Sequence, residues 1–98
     1  MTKNFYESLP MKAAKEITNC NILEVKVAST GYCGGDTGHG GRTYFSLEDL
    51  GSTDMTICAG GKEFKSGKVE LLFGGDTELE TFVEALEFAA ASLRAMMK

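Results

Sequence analysis

The sequence is poor in several things, and each shortage excludes something. One proline stands against twelve glycines, where average usage would place about five of the first and seven of the second. Backbone freedom, rather than stiffness, therefore marks this chain. No stretch approaches the roughly 18 apolar residues that a membrane-spanning helix needs. The opening Met1–Glu7 also lacks the apolar core of about 7–15 residues that defines a secretion signal, so neither a membrane partner nor export is expected. Basic residues are in the minority, 10 against 14 acids, for a net charge of −4. A nucleic-acid polymer is excluded, because coating one takes a basic face that neutralises phosphates. One small anionic ligand held by a local arginine is not. Three cysteines, Cys20, Cys33 and Cys58, cannot all pair within a chain, and none forms a C-x-x-C pair. That usage predicts reduced thiols and a cytoplasmic location.

What is present describes a folded unit. Apolar residues make up 43% and charged residues 24% of the 98, ordinary globular values that argue against disorder. The length predicts a single domain over 1–98. Residues 1–21 are the least legible part; Ser8 as a cap and Pro10 in a first turn predict a short helix across 8–17. From Ile22 to Ala28, Leu23, Val25 and Val27 alternate with Glu24 and Lys26, the period of a half-buried strand. Arg42 to Leu47 alternates again with Thr43, Phe45 and Leu47 on one face, and 48–52 reads as a turn. A third strand is predicted over 54–59, turning at Gly60-Gly61 into Lys62–Phe64. The next, Lys68 to Phe73, puts Val69, Leu71 and Phe73 on its core face.

The last element has the clearest pattern. Thr77 with Glu80 three residues on reads as a capping box, and Leu79, Phe82, Val83, Leu86, Ala89, Ala90, Leu93 and Met97 then recur at helical spacing. Strands followed by one long amphipathic helix predict an α+β fold: an antiparallel sheet of about four to five strands, packed by the C-terminal helix over residues 22–98.

Chemistry concentrates between two strands, in Gly31–Gly41, where six of the twelve glycines fall within eleven residues. Glycine at this density lets successive backbone amides approach an anion with no Cβ in the way. The same run carries the chain's single histidine, His39, and ends on Arg42, whose planar fork suits phosphate or a purine edge. Eleven residues is long for a hairpin loop, and long loops in small domains tend to carry function. Asp36, Thr37, Gly38, His39, Gly40, Gly41, Arg42, Thr43 and Tyr44 are therefore the candidate ligand contacts.

Several familiar motifs come near and fail. A phosphate loop needs glycine where Asp36 stands and lysine where Arg42 stands, and it opens a helix rather than a strand. The dinucleotide fingerprint fits Gly38 and Gly40 but requires glycine at Thr43. Asp36-Thr37-Gly38 is the aspartic-protease triplet, yet Cys33-Gly34-Gly35 precede it where apolar strand residues belong. Cys33, Asp36 and His39 lack the fourth ligand of a structural zinc site. No separated acid and base stands out, so no catalytic residue, metal or cofactor is expected.

The strand Leu23–Val27, the run Gly34-Gly35-Asp36-Thr37-Gly38-His39-Gly40-Gly41-Arg42-Thr43, the segment Glu48–Gly51, and Gly74-Gly75-Asp76 with its following helix together resemble the phage anti-Thoeris sponge family. The resemblance covers about residues 22–98, and Gly38–Arg42 is its most specific part. It implies a non-enzymatic protein of the host-cell cytoplasm that sequesters cyclic nucleotide signals, cyclic ADP-ribose isomers or cyclic oligonucleotides, without cleaving them. It also implies a trimer-based homo-oligomer reaching hexamers. His39 and Arg42 would then hold an oligonucleotide-type ligand near a three-fold axis, and Arg94 would join a second site between subunits. Two other readings stay open. One is a cyclic-nucleotide hydrolase using the His/Arg loop; the other is an interaction module that docks through the C-terminal helix.

Overall fold

Period-two alternation along three segments, with a fourth strand paired at their edge, produces one antiparallel sheet. The computed structural model describes residues 5–32, 40–51, 55–64 and 67–98. A short helix α1 (Phe5–Ser8) precedes strands β1 (Met11–Thr18), β2 (Ile22–Ser29) and β3 (Arg42–Gly51). A small hairpin follows, β4 (Ile57–Ala59) and β5 (Lys62–Phe64), and then β6 (Lys68–Gly74) and helix α2 (Asp76–Met96). The main sheet has the order β1-β2-β3-β6, all neighbours antiparallel, and β4-β5 forms a separate two-stranded sheet. The fold is α+β, as the order of patterns predicts. Gly60 and Gly61 turn the hairpin with φ of 60° and 79°, the left-handed pair that a two-residue connection demands.

Register sorts the side chains into two faces. Ala13, Val27, Phe45 and Leu71 lie opposite one another across the four strands, as do Lys15, Val25, Leu47 and Val69. This is the apolar face anticipated from the sequence, and α2 approaches it through Phe82, whose ring lies 5.1 Å from Phe45 and 4.5 Å from Phe73. The opposite face carries Lys12, Ala28, Tyr44 and Leu72 in one row and Ala14, Lys26, Ser46 and Glu70 in the next. There α1 supplies the cover. Leu9, Ala28 and Tyr44 form the buried cluster, with Phe5 and Tyr6 packed against it. The Tyr6 and Tyr44 rings stand 5.9 Å apart, and the Lys26 ammonium sits 5.0 Å above the Tyr6 ring, within cation–π range.

Three expectations are corrected. Residues 8–17 are not a helix: α1 stops at Ser8 and Met11–Thr18 pairs with β2 along its whole length. The pyrrolidine of Pro10 bars the helical region to Leu9, so the chain leaves α1 there, and eight ladder positions outweigh the helix preference of Ala, Lys and Glu. The turn expected at 48–52 lies partly within β3, which continues to Gly51. Glu48 and Asp49 still pair with β2, and the shift from Leu23↔Asp49 to Ile22↔Gly51 leaves Leu50 as the extra residue of a bulge. The Thr77/Glu80 capping box does not form either. Gly75 is the N-cap and makes no side-chain cap bond.

Tyr44 is the largest buried residue, 2% exposed, and its hydroxyl donates to Glu70 Oε2 at 2.6 Å. Burial, reinforced by the Glu70 carboxylate, raises its phenol above the ordinary value near 10. A raised phenol contributes stability that is fully present below the unfolded value and is lost as pH rises through the folded one. Tyr44→Phe is therefore expected to cost about 0.5–1.5 kcal/mol at neutral pH. The gap to wild type should shrink above about pH 10. Denaturant midpoints of both chains across that window provide the check, and a constant gap would refute it.

Candidate functional site

The glycine-rich connection leaves β2 and enters β3 side by side, and both of its feet are fastened. On the outgoing side Gly31 N–H donates to Ser29 Oγ at 2.8 Å. Thr30 N–H donates to the Arg42 carbonyl at 3.0 Å, and Arg42 N–H returns a bond to Thr30 Oγ1 at 2.8 Å. On the incoming side Gly41 N–H donates to Asp76 Oδ1 at 3.0 Å, while Gly75 N–H donates to the Gly41 carbonyl at 2.7 Å. The Tyr32 hydroxyl reaches Glu80 on the next turn of α2. Sheet end, loop feet and helix start thus form one hydrogen-bonded unit.

Two glycines are obligatory in it. Gly40 has φ of +128°, and a Cβ there would overlap the Asp76 carboxyl and backbone nitrogen. At Gly41 a Cβ would overlap the Gly31 carbonyl and come within 2.7 Å of Thr30 Oγ1. Glycine here serves the close approach of three chain segments, not looseness.

The candidate contacts divide. Gly40, Gly41 and Arg42 meet at the incoming foot, where β3 begins beside Gly74. Thr43 and Tyr44 go to opposite faces of the sheet, as neighbours in a strand must. Thr43 lines the apolar groove under α2 with Val27 and Phe82, and Tyr44 fills the cluster under α1. The sheet itself lies between these two side chains. Arg94, eighteen positions along α2 from Asp76, stands about 27 Å down the helix from the loop's incoming foot at 1.5 Å per residue. Asp36, Thr37, Gly38 and His39, with Cys33, lie outside the described residues. Among the described residues no group of three potential metal ligands gathers, and no helix is long and apolar enough to cross a membrane.

Sequence reasoning missed Asp76 as a partner of the loop. The signal was present, since Gly-Gly-Asp-Thr at 74–77 repeats 34–37, but strand exit and helix start account for that spelling too. No family model, curated protein or solved structure matches the chain.

Asp76→Ala removes a charge-assisted bond and is expected to cost about 1.5–3 kcal/mol, with faster hydrogen exchange at the Gly41 amide. Gly41→Ala forces the feet apart and should cost about 1–3 kcal/mol. Thermal unfolding and amide exchange read both outcomes. Wild-type protection of the Gly41 amide in Asp76→Ala would show that the carboxylate does not hold the loop.

Proposed function

We propose that this protein binds and sequesters a small anionic ligand of the cyclic-nucleotide class at its glycine-rich loop, without transforming it. The observation that carries the reading is the double anchorage of that loop. A connector between two adjacent strands needs only to reach; this one is tied at both feet, and its incoming foot is tied to the first residues of α2. Fixed feet with glycine between them suit a segment that presents amides and Arg42 to a guest from a rigid base. Sequestration requires affinity and copy number rather than an activated nucleophile or a tuned base. Glycine amides, one guanidinium and His39 supply the former.

Charge sets the main difficulty. Asp76 and Glu78 stand in the first turn of α2, in a chain of net charge −4, and both oppose an anion. Several copies of Arg42 around a symmetry axis would overcome this by concentrating positive charge at one point. That is why the reading includes a homo-oligomer. Binding should accordingly weaken as salt rises.

A second reading, an interaction module acting through α2, is favoured by the exposure of Phe88 (74%) and Met96 (75%). A capture-and-release assay separates them. The protein is mixed with cyclic ADP-ribose isomers or cyclic di- and trinucleotides, filtered, heat-denatured and analysed by chromatography. The expected result is a ligand that disappears and then returns intact, with Arg42→Ala losing capture while keeping its unfolding temperature within a few degrees. Products in place of the intact ligand would mean an enzyme. Failure to capture any of them would leave the interaction module.

A further inference from the structure

The chain exposes far more surface than its mass warrants. Its accessible area is 6994 Å² for 10.5 kDa, whereas a compact monomer of that mass exposes about 5,400 Å². Its radius of gyration is 14.9 Å, against about 12.5 Å for a compact chain of this length.

The described residues show where apolar surface stands open. The apolar line of α2 runs Leu79, Phe82, Val83, Leu86 and on through Leu93 to Met97. Its first part rims a groove of about 370 Å³ against Met11, Val27 and Thr43. No α2 residue beyond Leu86 lines that groove, and Leu93 and Met97 are 59% and 78% exposed. The sheet has the matching deficit: Val27 and Leu71 are about two-fifths exposed, and a shallow depression continues over Ala13 and Val25. The C-terminal half of the apolar helix face thus lacks a sheet, and part of the apolar sheet face stands open to solvent.

We propose that a second copy of this chain closes both gaps about a two-fold axis. The two α2 helices run antiparallel, and the C-terminal half of each lies over the partner's open sheet face. A reciprocal exchange of this kind closes on itself and buries the same patch twice. Charge fixes the direction. Asp76, Glu78, Glu80, Glu84 and Glu87 occupy the first part of α2, while its last turns carry Arg94 and then Lys98. Antiparallel pairing sets the basic end of one helix beside the acidic end of the other and opposes their dipoles. Parallel pairing would stack five acids on five. The inference uses no residue of the glycine loop, so it stands or falls apart from the ligand reading.

The test uses the full chain without ligand. Light scattering behind gel filtration at about 10 μM is expected to give at least twice the chain mass. Leu93→Asp and, separately, Met97→Lys should each raise the dissociation constant at least tenfold while leaving the far-ultraviolet helix signal in place. For direction, the three native cysteines are replaced by serine. Glu80→Cys mixed with Arg94→Cys should then yield a mixed disulfide dimer more readily than Arg94→Cys yields its own. A monomeric wild type, or wild-type association in both Leu93→Asp and Met97→Lys, would overturn the interface. Preferential Arg94→Cys homodimers would overturn its antiparallel direction.

Discussion

The attachment of Gly41 to the start of α2 holds the two halves of this structure in their relation. The Gly41 carbonyl accepts from Gly75 N–H, and the Gly41 amide donates to Asp76. Helix α2 has no buried residue, and among the described rings it meets the sheet through Phe82 against Phe45 and Phe73. With so little packing to orient it, the helix takes its direction from this two-bond clamp and from the strand exit at Gly74-Gly75. The groove under its first half, the position of Tyr32 against Glu80, and the spacing of the loop feet all follow from that angle.

The same clamp explains why glycine is concentrated where β3 begins. Three segments converge there: the end of β2, the start of β3 and the first turn of α2. A methyl group at Gly40 or Gly41 would stand inside another segment. Dense glycine is commonly read as freedom; here part of it is the opposite, the absence of side chains that lets backbone meet backbone. Both feet of the connection therefore stand on a fixed base.

Much of the architecture was legible residue by residue. Val25, Val27, Phe45, Leu47, Val69 and Leu71 were placed on one face by alternation alone, and register sets them opposite one another. Gly60-Gly61 announced its hairpin. The first strand was not legible, because Met11–Ile17 is rich in good helix formers and lies at the sheet edge, exposed along its whole length. Its strand character comes from pairing with β2, a partner that no local window contains. Of the candidate site, the Gly40–Arg42 foot was legible from composition. That Thr43 and Tyr44 part to opposite faces follows from the strand that begins at Arg42, and Tyr44's burial depends on α1, which the sequence placed in the wrong span.

By itself, then, the sequence determined the fold class, the apolar face of the sheet, the extent of the long helix and the place where glycine and arginine gather. These are consequences of short-range periodicity and of backbone permissiveness, properties that each residue carries with it. Tertiary structure alone decided that Met11–Thr18 is an edge strand, that Asp76 turns from its own helix to hold Gly41, and that Arg94 stands most of a helix length from that foot of the loop. It also decided that half of α2's apolar line extends past the groove it shares with its own sheet. Each of these depends on which distant segments meet, and pairing energy between segments far apart in the chain leaves no local mark in the order of the residues.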